Sequence, residues 1–177
     1  MAERLERRFG AQIDWLPFDL HPEYPPEGIR RAELKRRYGE GFHERLESAF
    51  EREGLLYNPP PEVVPNSSAA LRLTELARAQ DKHAPTHDRL MQAYWEESQN
   101  IGDPEVLRTL ASELRLKDAE AAITADLHGD DVARATAEAQ AIGINAIPAF
   151  LLDDRLIVLG AQPDEVFEQA FDQLAQA

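Results

Sequence analysis

Gly143-Ile144-Asn145-Ala146-Ile147-Pro148-Ala149-Phe150-Leu151-Leu152 constrains the fold of this chain more than any other stretch. A proline that opens an apolar run, with the β-branched Ile147 before it, belongs to the small set of X-Pro bonds in which the cis form is accessible. Proline brings no N–H to a ladder, so its expected place is the first position of a strand. That placement leaves the backbone of Ile147 free to pair with another segment, such as a peptide. Asp153-Asp154-Arg155 then separates this run from Leu156-Ile157-Val158-Leu159. Two branched apolar runs of strand length, joined by a short polar turn, predict a β-hairpin. Gly160-Ala161-Gln162-Pro163 and an amphipathic helix follow it.

The rest of the chain reads as one strand and a long helical arc. Leu5 and Phe9, four apart among charges, predict a helix that Gly10 stops. Ile13, Trp15 and Phe18 come near alternation, so residues 12–20 read as a strand, with Pro17 marking an edge, a bulge or its end. His21-Pro22-Glu23-Tyr24-Pro25-Pro26-Glu27-Gly28 cannot be regular structure. Leu34, Tyr38, Phe42, Leu46 and Phe50 have helical spacing, and Gly39 and Gly41 divide the stretch into two helices. The stretch from Tyr57 through Pro65 holds four prolines and makes a rigid connector. Asn66-Ser67-Ser68 can cap a helix carrying Ala70, Leu71, Leu73, Leu76 and Ala77. Pro85 is expected to break the pattern ahead of a helix through Leu90, Met91, Tyr94 and Trp95. Asp103 followed by Pro104 is an N-cap with proline at the first helical position, which starts a helix through Leu107, Leu110 and Leu114. Two more helices are expected over 117–125 and 129–142.

Charge and composition exclude several classes of function. Nineteen basic residues against 33 acidic ones give a net charge of −14. Nucleic-acid affinity comes largely from lysine and arginine displacing counterions, so no nucleic-acid partner is expected. No apolar run reaches the roughly 18 residues of a membrane helix, and the first residues lack the apolar core of a signal peptide, so the expected location is cytoplasmic, away from any membrane. The chain contains no cysteine, which excludes thiol nucleophiles and thiolate metal sites from its own residues. No Walker sequence, glycine loop or Ser-His-Asp grouping suggests a cofactor or a hydrolase.

Four motifs, in order, carry a resemblance to a family. Trp15-Leu16-Pro17-Phe18-Asp19-Leu20 is followed by Pro25-Pro26-Glu27-Gly28. Then come Met91-Gln92-Ala93-Tyr94-Trp95 with Asn100-Ile101-Gly102-Asp103, the Gly-Ile-Asn-Ala-Ile-Pro-Ala-Phe stretch with its hairpin, and Gly160-Ala161-Gln162. Together they resemble the thioredoxin-fold oxidoreductases of the DsbA family, and the Gly-Ala-Gln element looks most like the cytoplasmic, FrnE-like branch. The resemblance implies an α/β, thioredoxin-like fold with an all-helical insertion. Residues 1–28 and 130–177 would form the thioredoxin-like part and residues 29–129 the insertion. It also implies disulfide exchange or isomerisation on protein or peptide thiol substrates, with Pro148 facing the cysteine pair. Ile147 would then offer its backbone to an extended substrate.

The family's first strand and its Cys-x-x-Cys helix have no counterpart here, so the fold is expected in an N-terminally truncated form. Residues 1–9 would correspond to the end of that helix, leaving roughly 25 residues unaccounted for at ordinary element lengths. No catalytic residue can be carried over. The leading reading is a redox enzyme shown without its reaction centre. A non-catalytic peptide-binding module is a second. A relative of the kappa glutathione transferases and hydroxychromene-carboxylate isomerases is a third. A strand at 12–20 without its sheet neighbour would favour a homodimer that supplies one.

Other constellations carry less. His83 and His87 lie four apart beside Asp88, but Pro85 lies between them and no third ligand is suggested, so no metal site is expected. His21, His43 and His128 have polar surroundings. Arg30, Arg31, Lys35, Arg36 and Arg37 form the one basic cluster, which reads first as a solvated helix face and second as a surface for an acidic partner.

Overall fold

The computed structural model describes residues 2–38, 41–52, 54–58 and 61–176; Gly39, Pro59 and Pro60 lie outside these, as do the side chains of Arg37, Tyr38, Phe42, His43 and Leu46. In chain order the elements are α1 (Ala2–Phe9), β1 (Ile29–Arg30), α2 (Arg31–Tyr38), α3 (Gly41–Arg52), β2 (Val63–Val64) and α4 (Ser68–Arg78). They continue with α5 (His83–Trp95), α6 (Pro104–Glu113), α7 (Ala119–Thr124), α8 (Gly129–Ala141), β3 (Ala149–Leu152), β4 (Leu156–Leu159) and α9 (Asp164–Ala175). They form two compact units, residues 21–134 and residues 1–20 with 135–177.

The helical unit is built around α4. Leu73 is fully buried there, and Leu90, Ala93, Leu107, Leu110 and Ala122 from α5, α6 and α7 join it in one apolar cluster with Ala70 and Leu76. Burying side chains of this size contributes about 1.5–3 kcal/mol each before entropy is counted. The helix starts follow local chemistry. Asp103 accepts from the Glu105 N–H at 2.9 Å with Pro104 at the first helical position, as its sequence predicts. The cap of α4 comes from Asn66, whose Oδ1 accepts from Ser68 N–H at 3.0 Å. Pro85, expected ahead of its helix, sits at the third position of α5 instead. The first four N–H groups of a helix have no partner within it, so proline there breaks no bond.

Arg72 fixes α7 against α4: its guanidinium donates to Ala122 O at 2.7 Å, Ile123 O at 3.1 Å and Ser68 Oγ at 2.8 Å. Lys82 likewise donates to the carbonyls just past α6, at Leu114 and Arg115. One buried group is left over among the described residues, the hydroxyl of Thr86 on α5, fully buried without a hydrogen-bond partner. A buried unpaired hydroxyl costs roughly 1–3 kcal/mol of desolvation. Thr86→Val keeps the branched shape and removes that cost. Thermal unfolding of the variant is expected to move upward by about 1 kcal/mol of stability, and a lowered midpoint would show that the hydroxyl is in fact bonded.

The smaller unit is a hairpin covered by two helices. β3 and β4 pair antiparallel from Ala149↔Leu159 to Leu152↔Leu156, as the two apolar runs predict. Period-two alternation sends Phe150, Leu152, Leu156 and Val158 to one face, where Leu5 of α1 and Phe167 and Ala170 of α9 close the core. Phe9 stacks on Phe171 with ring centroids 4.7 Å apart. Ion pairs bind the same two helices: Arg4 reaches Asp164 at 2.9 Å, and Arg8 reaches Asp164 at 2.8 Å and also Glu168. Asp164 lies in the first turn of α9, where a carboxylate also suits the helix dipole.

Two expectations change. Residues 12–19 have no regular structure, and Trp15 and Leu16 are exposed. A strand needs a ladder partner for its backbone groups, and among the described residues β3 and β4 pair only with each other. Asp19 is held otherwise, its N–H donating to Thr136 Oγ1 at 3.0 Å. The arc expected to be entirely helical also contains a two-residue antiparallel pair, Ile29↔Val64 and Arg30↔Val63. Two residues are too few to show a period in sequence.

Candidate functional site

The site begins at one peptide bond. Ile147–Pro148 is cis, and Pro148 immediately precedes β3. Gly160 N–H donates to Pro148 O at 2.7 Å, so the hairpin ladder runs one pair beyond Ala149↔Leu159. Gln162 folds back beneath this rung, its N–H donating to Gly160 O at 3.0 Å and its side-chain Nε2 to Leu159 O at 2.7 Å. The Gly-Ala-Gln element therefore fixes the carbonyl of Pro148. Gly160 and Gln162 are positioning residues, and their sequence signal was the motif alone, without its spatial reason.

Ile147 projects from this frame. Its side chain is 56% exposed, and neither its N–H nor its C=O has a hydrogen-bond partner among the described residues. The outward face of the hairpin continues the apolar character: Leu151 and Leu159 are 40% and 41% exposed, and Ala149 and Ile157 are half-buried beside them. Free backbone groups at the head of a strand, next to an open apolar face, suit an extended polypeptide. The groups offer main-chain hydrogen bonds and the face offers contact for alternate side chains. Among the described residues of this frame there is no acid, base or thiol.

The remaining candidates are dispersed. His83 and His87 lie one turn apart on α5 with ring centroids 6.0 Å apart, and no group of three metal-ligating side chains occurs among the described residues. Burial holds the His87 imidazole below its usual range, partly offset by the Asp88 carboxylate. His21 stacks on Tyr24 and bonds to Glu23 at 3.0 Å. His128 lies 2.8 Å from Asp131, whose carboxyl is held below its ordinary range by His128 first and Arg134 second. Tyr94 and Trp95 pack in an aromatic cluster with Phe50 and Tyr57. No helix among the described residues is long and apolar enough to cross a membrane.

Known proteins share this architecture. YwbO of Bacillus subtilis (strain 168), described as an uncharacterized protein, is 28% identical over 164 residues, covering 90% of this chain and 80% of its own. The crystal structure of a probable DsbA oxidoreductase from Streptomyces coelicolor superposes with a TM-score of 0.83 at 25% identity, covering 94% of this chain and 76% of the other. The structure of a 2-hydroxychromene-2-carboxylate isomerase superposes with a TM-score of 0.76 at 16% identity, covering 99% and 87%, which is a likeness of fold. The model of the DSBA-like thioredoxin domain matches residues 1–172. With the hairpin, the proline and the inserted helices all inside that match, the chain belongs to the DSBA-like thioredoxin domain family.

Proposed function

We propose that this chain binds extended, unfolded polypeptide at Ile147 and Pro148, and that it belongs to the FrnE-like cytoplasmic branch of its family. The observation that carries the reading is the unpartnered, exposed backbone of Ile147 at the head of β3. The Gly160-Ala161-Gln162 element beneath Pro148 supports the branch. Disulfide exchange on protein thiols is the activity the family resemblance suggests. It requires a low-pKa thiolate and a second thiol to resolve the mixed disulfide, and this sequence contains neither. The chain by itself is therefore a recognition module. A glutathione-conjugating or isomerase reading draws support from shared fold alone.

The test is fluorescence anisotropy with a thiol-blocked, permanently unfolded protein. Ile147→Glu places a charge on the apolar approach without disturbing the core, so stability should stay within about 0.5 kcal/mol. Affinity is expected to fall about tenfold, equivalent to about 1.4 kcal/mol. Equal affinity in the variant would move the site elsewhere. In parallel, insulin reduction by this chain should show no turnover above buffer. The free edge also suits a second copy, so sedimentation should accompany the titration: a dimer that the unfolded protein dissociates would place self-association on the same edge.

A further inference from the structure

At one concavity three cations gather without a carboxylate partner among the described residues. In a chain of net charge −14, cations are outnumbered, and several find a carboxylate among the described residues. Arg4, Arg8, Arg72, Arg78, Arg89, Arg108 and Arg134 all do so. Arg30 on β1 and Lys35 and Arg36 on α2 do not: they are exposed, and their side chains make no ion pair or hydrogen bond among the described residues. With Ala32 and Glu33 they line a shallow concavity, three cations against one carboxylate. Arg31 turns the other way, donating to Pro61 O at 3.2 Å and Tyr94 Oη at 3.3 Å, which anchors the start of α2.

We infer that this face of β1 and α2 docks an acidic stretch of polypeptide from a protein partner. Three cations around a concavity, with no carboxylate partner among the described residues, form an attractive field, and opposite charge both steers and orients an encounter. The patch is small, because an eight-residue helix spans about 12 Å. A short acidic segment fits that extent. A phosphate backbone continuing past it would run over a surface of its own sign, which argues for a polypeptide rather than a nucleic acid.

The experiment uses the full chain and fluorescein-labelled octaglutamate, read by anisotropy. Binding should weaken at least about tenfold between about 20 mM and about 300 mM salt, as the screening length shortens. Arg30→Gln/Lys35→Gln/Arg36→Gln should lose at least about tenfold in affinity at low salt, whereas Lys117→Gln, an exposed cation elsewhere, should bind as the unaltered chain does. An oligothymidylate of the same charge should bind at least about tenfold more weakly than the peptide. Salt-insensitive binding, a triple variant with full affinity, or an oligonucleotide that binds as tightly as the peptide would each overturn the inference. So would no binding at low salt. The salt and oligonucleotide comparisons use the unaltered chain and decide the matter even where a variant folds poorly.

Discussion

Phe167→Ala is expected to lower the unfolding free energy of the smaller unit by about 3–5 kcal/mol. Phe167 is fully buried, and its ring meets that of Phe150 edge to face with centroids 5.0 Å apart. Leu5, Val158 and Ala170 share its cluster. The hairpin has helices over its inner face only, so a cavity at Phe167 cannot be filled from the other side, where Leu151 and Leu159 face outward. Poor relaxation puts the cost toward the upper end of the range for a large-to-small change. A domain has about 5–15 kcal/mol in hand, so the hairpin should loosen or unfold at ordinary temperature. Trp15 lies in this unit and Trp95 in the helical one. Urea titration of Phe167→Ala in a Trp95→Phe background therefore reports on the right transition. A loss below about 1 kcal/mol would show that α9 does not hold the hairpin. Polypeptide binding at Ile147 should disappear together with the transition.

Gly28→Ala should be nearly as damaging to the helical unit. Gly28 has φ +76, and an added Cβ would collide with Val64 O and stand 2.7 Å from Val63 Cγ1. The left-handed conformation alone costs alanine about 1–2 kcal/mol. The contact with a backbone oxygen adds more, because relieving it means parting Ile29 from Val64, the rung that holds β1 to β2. A total of about 3 kcal/mol is expected. Gly54→Ala is the matched control: its φ is +67, but nothing lies within 4 Å of the new methyl. The difference between the two melts isolates the contact. Equal losses would mean that β1 and β2 separate without cost.

These two positions differ in how far their sequence announces them. Phe167 belongs to an amphipathic pattern after Gly160-Ala161-Gln162-Pro163, so a buried helical face is legible there. Gly28 ends a proline-rich stretch and reads only as a turn, because the close approach comes from Val63 and Val64, more than thirty residues away. The same physical division runs through the whole chain. Short-range chemistry was readable: the Asp103-Pro104 start of α6, the end of α1 before Gly10, and the two apolar runs of the hairpin. What depended on distant partners was not. Residues 12–20 alternate like a strand, yet alternation describes a face and says nothing of who accepts the backbone bonds. Pro85 reads as a breaker only until the helix start is known to lie two residues before it. At the candidate site, the place of Pro148 at the head of a strand was legible because proline's missing N–H is a local fact. The rung from Gly160 to Pro148 was not, because it depends on the register set by Asp153 and Asp154, which both adopt positive φ.

That aspartate turn has a practical consequence. The hairpin tip is polar and exposed, and β3 separates it from Pro148 by about 13 Å at ordinary strand rise. The sequence contains no cysteine, so Arg155→Cys would offer a single thiol for attaching a fluorophore. A dye there would stand close enough to a peptide arriving at Ile147 to transfer energy to it, and far enough away to leave the approach clear.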